Sequence, residues 1–492
     1  MSGTTKPAGQ PDTSDHRHVG LDSGVEGFNA RARRAVADTQ LHETLRQAAP
    51  RFVGERNHAF GAIPDAPEVR ERAYRIKHEA MAHLDTLLEQ MAERVESLGG
   101  HVHFAADGAD AARYIAELAR RRGAKTLVKS KSMASEEIEL NRRLEEDFPE
   151  LGLEVVETDL GEWVAQLGGD HPSHIIAPIV HLNRHQVADI LSKVAGETLP
   201  ATVPDLLRFA RARLREKFLR AEIGITGANF GVAETGTICL VTNEGNGRLV
   251  TSVPPVHVAL MGIEKVLPRF EDLAVFTRLL SRSGTGQKLT SFTTFITGPR
   301  REGELDGPEE LHLVLLDNGR SKLLGTEFEE ALHCIRCGAC LNVCPVYRQT
   351  GGHAYGSTYA GPIGAVITPL LKGDAEAKDL PFASSLCGAC SEVCPVGIPL
   401  HDLLLKLRNR QVRGGLASRA EELMFRGFES AMTHPRLYRA GVRAGSLARR
   451  PLGRADGAAA RLPGPLGAWG ASRDLPAPAP KSFRQLWKEG IE

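Results

Sequence analysis

Two short runs of closely spaced residues hold seven of the chain's eight cysteines. The first run has the spacing Cys-x2-Cys-x2-Cys-x3-Cys-Pro, and the second run repeats the last three cysteines and the proline of that pattern. The cysteines are Cys334, Cys337, Cys340 and Cys344 in the first run and Cys387, Cys390 and Cys394 in the second. Three thiolates within seven residues can bind three corners of a [4Fe–4S] cube, and in two-cluster ferredoxins the cysteine before proline binds the other cluster. The spacing therefore predicts two [4Fe–4S] clusters with crossed ligands: cluster 1 on Cys334, Cys337, Cys340 and Cys394, and cluster 2 on Cys344, Cys387 and Cys390.

Cluster 2 has three evident thiolate ligands where a cube normally has four. In the full pattern a further cysteine stands ten residues before the one that precedes proline, and counting back from Cys394 that position is Ser384. A serine oxygen is a harder and poorer ligand for such iron than a thiolate. Four outcomes remain open: Ser384 binds the iron, water or substrate occupies it, a partner supplies the ligand, or that iron is lost.

Zinc is the alternative for paired Cys-x2-Cys motifs. Seven cysteines fit poorly into tetrahedral sites, and a Cys-Pro pair ends both runs, so iron–sulfur binding is favoured. The two runs are separated by 42 residues, 345–386, without evident strand pairs. This spacing favours an α-helical ferredoxin over the small βαββαβ type. Cys239 stands apart in an apolar strand and is interpreted as a buried core residue.

The composition excludes several classes of partner. The 61 basic and 61 acidic side chains give a net charge of zero, and aromatic residues make up 5% of the chain, so nucleic acid is not expected as a partner. The sequence contains no apolar run of about eighteen residues, the length needed to span a bilayer. The first twenty residues lack the apolar region of a secretory signal. We expect a cytoplasmic location, with any contact to the inner membrane made through partners. In that reducing compartment close cysteine spacing indicates metal rather than disulfides.

The apolar pattern divides the chain into segments of different type. Between residues 99 and 320, β-like runs at 101–105, 126–129, 153–158 and 174–179 alternate with helical runs at 110–122, 135–144 and 184–194. This alternation predicts an α/β domain with a mainly parallel sheet. The full division is a disordered tail at 1–20, a helical segment at 21–98, the α/β domain at 99–320, a helical ferredoxin domain at 321–415, helices at 416–450, a Pro/Ala/Gly linker at 451–480 and a docking tail at 481–492.

Two polar segments of the α/β domain are candidate ligand loops. Residues 129–141 run from a strand end into a helix whose N-terminus could hold an anion, although an ordinary N-cap at Ser135 explains the same residues. Residues 227–248 are rich in glycine and contain Glu234, Glu244 and Arg248, which are the candidate catalytic residues. Tight turns would explain the glycines equally well.

Four histidines lie close together at His171, His174, His181 and His185. The pair His181 and His185 has the i,i+4 spacing of helical metal ligands, but the H-E-x-x-H context is absent. Surface or helix-start positions are therefore the favoured interpretation.

The segments VKSKSMASEEIELN and NFGVAETGTICLVTNEGNGRLVTSVPPVHVALMGIEKVLP and the two cysteine runs closely resemble the lactate utilization protein B family, the iron–sulfur subunit of the bacterial L-lactate utilization system. The resemblance covers about residues 50–420 and the terminal KSFRQLWKE. It implies an LUD domain, similar to sugar-isomerase and CoA-transferase folds, fused to a two-cluster ferredoxin domain. It also implies that the same seven cysteines are the cluster ligands, and that the chain acts with two sister subunits in oxidising L-lactate to pyruvate.

Three classes of function remain. The leading hypothesis is the electron-transfer subunit of an NAD-independent L-lactate dehydrogenase complex, with sister subunits, an electron acceptor and L-lactate bound within the complex as its partners. No G-x-G-x-x-G dinucleotide fingerprint follows a strand, so the hydride acceptor is expected on a partner. The rival is a CoA-transferase-like or isomerase-like enzyme with accessory clusters, in which Glu234 or Glu244 is the nucleophile or base. A redox sensor is a third class, although the neutral charge does not favour a nucleic-acid surface.

Overall fold

The computed structural model of the chain describes residues 26–447, 479 and 481–490. The chain forms two compact units, Met1–Arg410 and Gln411–Glu492, which are described separately. The expected disordered tail at residues 1–20 lies outside the described residues, as does the expected linker at 451–480 except for residue 479.

Four helices precede the first strand: α1 (Phe28–Ala37), α2 (Thr39–Gly61), α3 (Ala66–Ala82) and α4 (Leu84–Ser97). The side chain of Asp38 accepts a hydrogen bond from the backbone N–H of Leu41 at 2.9 Å and caps the start of α2. The apolar residues that recur at helical spacing from Ile76 to Val95 are buried, although α3 and α4 separate at His83. Met91 and Val95 pack into the core on one face of the main sheet.

In the described part of the chain, ten strands form two sheets. They are β1 (His101–Ala105), β2 (Thr126–Lys129), β3 (Glu154–Glu157), β4 (Ile223–Gly227), β5 (Phe230–Val232), β6 (Thr237–Thr242), β7 (Val256–Gly262), β8 (Val266–Leu267), β9 (Phe292–Ile296) and β10 (Glu310–Leu316). The six-stranded sheet has the order β1-β10-β7-β4-β2-β3, and all of its pairings are parallel. The smaller sheet has the order β8-β5-β6-β9 and is mixed. The predicted α/β domain with a parallel sheet is confirmed.

Helices cover the parallel sheet. They are α5 (Gly108–Arg122), α6 (Met133–Glu137), α7 (Leu140–Arg142), α8 (Leu160–Gly168), α9 (Arg184–Ala195), α10 (Val203–Arg220) and α11 (Asn246–Ser252). Helix α12 (Leu273–Thr285) packs instead against α2 and α3. Helix α10 begins with proline in its first turn, and the Thr202 side chain accepts a hydrogen bond from the Asp205 N–H. Because both faces of the sheet are covered, its central strands β4, β7 and β10 are buried along nearly their whole length.

Two predicted elements differ from the structure. Residues 174–179 form no strand: the N–H of Ser173 donates to the carbonyl of Pro178 at 2.8 Å, and the segment closes on itself as a turn. Ile175 is buried in the same apolar core as several cysteines, so tertiary packing accounts for its hydrophobic character. The predicted helix at residues 135–144 is interrupted at Glu139, whose φ of 51° lies in the left-handed region, and it continues through α7 into the π-helical turn Arg143–Asp147.

The cysteine region is built from short helices and loops. Its helices are α13 (Ala339–Val343), α14 (Tyr347–Thr350), α15 (Gly361–Lys372), α16 (Ala389–Glu392) and α17 (Leu400–Arg413). Residues 321–410 are all described and contain no strand, as expected for a helical ferredoxin domain.

The second unit contains α18 (Arg419–Thr433), α19 (Pro435–Leu447) and α20 (Phe483–Glu489). The guanidinium of Arg484 lies 5.9 Å from the centre of the Tyr438 ring. Docking of the terminal segment on the body stays a prediction. Among the described residues, no helix has the length and apolar character needed to cross a membrane.

Candidate functional site

Four of the predicted cluster ligands line one small cavity: Cys334, Cys337, Cys340 and Cys394. The thiol of Cys340 interacts electrostatically with each of the other three. Most of the remaining wall is apolar, including Ile363, Val396 and Ile398. The structure thus brings together the set that the crossed spacing assigns to cluster 1.

The other three cysteines form a second group. The thiol of Cys390 interacts electrostatically with those of Cys344 and Cys387. Cys344 and Cys390 are buried, whereas Cys387 is exposed. This second set corresponds to the predicted cluster 2, and it reaches the surface of its unit at Cys387.

The chemistry of these donors fits an iron–sulfur cluster. Burial raises the pKa of the Cys337 thiol to about 12 and that of Cys394 to about 11, so the positive charge of bound metal is needed to keep them as thiolates. Backbone N–H groups also point at the sulfurs: Arg336 N lies 3.4 Å from Cys334 Sγ, and Ile398 N lies 3.4 Å from Cys394 Sγ. Such hydrogen bonds stabilise sulfur ligands of iron–sulfur clusters.

The fourth ligand of cluster 2 stays a prediction. The hydroxyl oxygen of Ser384 accepts a hydrogen bond from the backbone N–H of Leu386 at 3.1 Å. The neighbouring Ser385 side chain hydrogen-bonds Cys387 and contributes to lowering the pKa of that thiol, after the backbone N–H of Ala389. Both serines therefore lie in the loop that leads into the second cysteine run.

A much larger cavity of about 540 Å³ lies at the carboxyl ends of β2, β4 and β7. Ligands of parallel α/β sheets characteristically bind at this edge. The wall includes apolar side chains such as Ile175, Leu240 and Leu280. Cys337 lines this cavity and also the smaller four-cysteine cavity. The α/β domain and the cysteine region therefore share one cavity wall.

Glu264 is the central acid of the wall nearest the cysteines. Its Oε2 accepts a hydrogen bond from Arg320 Nε at 2.6 Å, and its Oε1 lies 3.4 Å from Arg336 Nη2. Burial opposes ionisation of Glu264, but the charges of Arg320 and Arg336 outweigh it and lower the pKa to about 2. Lys77 donates a hydrogen bond to the backbone carbonyl of Glu264. Arg320 also donates to Glu137 at 2.8 and 2.7 Å.

A second group of charges on the wall comprises Lys131, Asp159 and Glu244. Burial lowers the pKa of Lys131, opposed by the charges of Glu162, Asp159 and Glu244. Burial, followed by the charge of Asp159, raises the pKa of Glu244. Asp159 also accepts hydrogen bonds from the first N–H groups of α8.

The candidate loop at residues 129–141 contributes to this cavity through residues 130–134. Its N-cap is Ser132, whose hydroxyl accepts a hydrogen bond from Ser135 N at 3.2 Å, and not Ser135 itself. Lys129 is buried beneath the loop, where its ammonium group lies 2.8 Å from both Glu136 and Glu157.

The three candidate catalytic residues are not brought together. Glu244 lines the cavity, whereas Glu234 and Arg248 do not. Glu234 accepts a hydrogen bond from the backbone N–H of Phe270 at 2.9 Å, and Arg248 lies 3.9 Å from Asp306 on the exposed surface.

His181 and His185 do not lie on one helix, because α9 begins at Arg184. His181 lies 2.8 Å from Asp170, and His185 is exposed in the first turn of α9. His174 is buried, and its Nε2 lies 3.2 Å from Asn342 Oδ1.

Sequence reasoning missed the charged residues that converge around Glu264, namely Lys77, Lys265, Arg320 and Arg336. They are scattered over the chain and meet only in the folded structure. The position of Arg336 between two cluster cysteines was the one local signal that could have found it.

The family model of the LUD domain matches residues 88–316, that of a 4Fe-4S dicluster domain matches residues 330–398, and that of the lactate utilisation protein B C-terminal region matches residues 406–491. Lactate utilization protein B of Shouchella clausii is 47% identical over 94% of this chain and 96% of its own length. The protein of the same name from Bacillus licheniformis is 47% identical over 96% of this chain and 98% of its own. This chain belongs to the lactate utilization protein B family.

The α/β domain of this family member is thus an LUD domain, and a 4Fe-4S dicluster domain follows it. A crystal structure of a DUF162 family protein from Deinococcus radiodurans covers 47% of this chain and 98% of its own, at 13% identity and a TM-score of 0.25.

Proposed function

We propose that this chain is the iron–sulfur electron-transfer subunit of a complex that oxidises L-lactate to pyruvate. The observation that carries the proposal is the position of Cys337, which lines both the large cavity of the LUD domain and the four-cysteine cavity. A substrate-sized cavity therefore adjoins the ligand set of cluster 1. The relatives' name, lactate utilization protein B, supports lactate as the compound that the complex uses.

Bound to these cysteines, [4Fe–4S] clusters supply one-electron transfer, whereas the oxidation of lactate releases two electrons. The two groups of cysteines lie in different environments. Cys334, Cys337, Cys340 and Cys394 lie in a small, mostly apolar cavity next to the LUD cavity. Cys387 lies at the surface, where an electron acceptor or a sister subunit can approach.

Partner subunits complete the proposed complex. The chain carries no dinucleotide fingerprint, so we place the group that accepts the hydride of lactate on a sister subunit. The exposed position of Cys387 supports electron delivery to a separate acceptor, because electron transfer between proteins needs a centre close to the surface.

Anaerobic purification of the chain with its co-expressed genomic neighbours tests this function. L-lactate added to the isolated complex is expected to reduce the clusters, which electron paramagnetic resonance detects, and to yield pyruvate. D-lactate and the chain without its partners are the controls. A complex that contains both clusters and all partners, yet is not reduced by L-lactate, would contradict the proposal.

Glu244 favours a second candidate function, an acyl-transfer or isomerase activity in the LUD cavity. Its carboxyl group lies in the wall and burial raises its pKa, which suits a nucleophile or a base. Transfer of an acyl group from a CoA ester to a carboxylate without added oxidant would support this candidate. If the Glu244→Gln variant retained the acyl-transfer activity, the Glu244 carboxyl group would not be the nucleophile or base of that reaction.

A further inference from the structure

Arg336 lines both the LUD cavity and the four-cysteine cavity, and it carries a buried donor without a partner in the described part of the chain. Its side chain is 6% exposed, and its Nη1 has no hydrogen-bond partner among the described residues. One face of the guanidinium is covered by the ring of Tyr359, whose centre lies 4.5 Å away, and Nη2 faces Glu264. A buried donor without a partner is unfavourable, so this position favours a ligand that accepts a hydrogen bond.

The surrounding charges favour an anionic ligand. Four basic side chains, Lys77, Lys265, Arg320 and Arg336, interact with the acid Glu264, and Glu137 is the only other carboxylate in an ion pair with them among the described residues. Burial lowers the pKa of Lys77 to about 7, and the Cys334 thiol also interacts with Lys77, Lys265 and Arg336, so Lys265 and the two arginines carry most of the positive charge. Lys265 lines the cavity and has no hydrogen bond or ion pair with any described residue. Burial and the charge of Arg336 lower the pKa of Lys265 to about 8, which leaves most of its amino groups charged at pH 7.

We propose that the LUD cavity binds a small organic acid, with the carboxylate held by Arg336 Nη1 and the ammonium group of Lys265. A planar guanidinium beside an ammonium group matches the two oxygens of a carboxylate. The apolar part of the wall, which includes Ile175, Leu240 and Leu280, accommodates the carbon end of the acid. Hydroxy acids and their 2-oxo products are the class that this arrangement accepts.

Arg336 also sets the position of the acid relative to the cysteines. It precedes Cys337 in the chain, and its backbone N–H points at Cys334 Sγ at 3.4 Å. An acid bound to Arg336 therefore lies beside the ligand set of cluster 1. The choice of lactate as this acid rests on the proposed function, whereas carboxylate binding itself follows from the charges and the unpaired donor.

Isothermal titration of the anaerobically purified, cluster-loaded chain tests the site. The probes are L-lactate, pyruvate, the uncharged amide of lactate, and inorganic phosphate. Lys265→Met is the principal variant, because it removes a cavity charge without touching the cysteine loop. Lys322→Met is its matched control, since Lys322 is exposed and lies only two residues from Arg320. Arg336→Lys is a second variant, and iron content is measured for every protein.

Binding of L-lactate or pyruvate but not of the amide, weakened at least about tenfold by Lys265→Met and unchanged by Lys322→Met, is the expected result. Absence of carboxylate binding to the cluster-loaded chain would overturn the proposal. So would tighter binding of phosphate than of either acid, or equal affinity in wild type, Lys265→Met and an iron-replete Arg336→Lys. Carboxylate binding without lactate-dependent reduction of the complex would contradict the proposed function and leave this site standing. Reduction of the complex by lactate without carboxylate binding to this chain would contradict the site and leave the proposed function standing.

Discussion

Arg320 Nε lies 2.6 Å from Glu264 Oε2, and both side chains are 1% exposed. Removal of two charges from water is costly, and their attraction offsets this cost only when the geometry is good and the other polar atoms are satisfied. Arg320 meets that condition because its remaining donors reach Glu137 and the backbone carbonyl of Asp317. The pair therefore fixes the end of β10 against the end of β7 at the floor of the cavity.

Replacement of this buried arginine is expected to destabilise the protein strongly. Arg320→Met leaves Glu264 and Glu137 without their main partner, and the expected loss is about 3–5 kcal/mol in the free energy of unfolding. Urea denaturation under anaerobic conditions, followed by circular dichroism, measures it. Arg300→Met removes an exposed ion pair with Glu309 at 3.2 Å and is expected to cost less than about 1 kcal/mol. Similar losses of unfolding free energy in both variants would show that burial does not determine how much an ion pair contributes to stability.

The parts of the fold that depend on local pattern could be predicted from the sequence. Strands β1 and β2 have the predicted bounds, because alternating apolar segments bounded by helices leave little choice of element. Residues 174–179 have the same apolar character but pack as a turn against the cysteine region. Their burial comes from a contact with residues far along the chain, which a local pattern does not contain.

In the candidate site, too, features set by local sequence pattern were predictable and features set by distant contacts were not. The crossed cysteine sets were predictable, because the spacing within each run limits which thiols can reach one cube. Lys77, Lys265 and Arg320 were not predictable, because each is an ordinary basic residue in its own segment. Glu244 and Arg248 lie close in sequence, yet only Glu244 reaches the cavity, since Arg248 follows on α11 and points to the surface.

Cluster occupancy is expected to follow the cysteine grouping. Cys340→Ser removes a ligand of the four-cysteine cavity and is expected to lower iron content from about eight to about four atoms per chain. Cys239 is fully buried, and burial raises the pKa of its thiol to about 12, so Cys239→Ala is expected to retain all the iron. Iron and sulfide analysis of anaerobically purified protein measures both. Equal iron loss in the two variants would contradict the assignment.

Lactate-dependent electron flow is expected to distinguish Glu244 from Arg248. Glu244 faces the cavity with a raised pKa and can accept the proton of a substrate hydroxyl, so Glu244→Gln is expected to lower the rate at least about tenfold. Arg248→Met is expected to leave the rate unchanged, because Arg248 does not line the cavity. Reduction of an artificial acceptor by the complex measures the rate, with iron content as the control. A greater effect of Arg248→Met would place the substrate outside this cavity.

Stability is expected to fall in mild acid because of His257 in β7. Burial lowers the pKa of this histidine to about 3, so the folded chain leaves it neutral while the unfolded chain takes up a proton below about pH 6.5. Between pH 7 and pH 5.5 this difference costs about 1 kcal/mol of the free energy of unfolding. His257→Gln can retain the contact with Thr226, at 2.8 Å in the wild type, without titrating. Between pH 7 and pH 5.5 the free energy of unfolding of this variant should fall by about 1 kcal/mol less than that of the wild type. An identical fall in both proteins would show that His257 is not the group responsible.

Air exposure is expected to damage cluster 2 before cluster 1. Only Cys344, Cys387 and Cys390 form its group, and Cys387 is exposed, whereas cluster 1 has four thiols in a largely apolar cavity. A corner without a thiolate loses its iron most readily, so brief exposure should produce about one [3Fe–4S] signal per chain in electron paramagnetic resonance. Ser384→Cys is expected to suppress that signal by supplying the missing thiolate.

Ser385→Cys is the matched control for position, because the Ser385 side chain hydrogen-bonds Cys387 while Ser384 stands where the full spacing has its cysteine. Suppression by Ser384→Cys alone would show that the loop has kept the geometry of a four-cysteine site. Suppression by Ser385→Cys alone would place the open corner nearer Cys387 than the spacing indicates. If both clusters of the wild type decay at one rate, and neither substitution changes it, cluster 2 has no open corner and its fourth ligand comes from elsewhere.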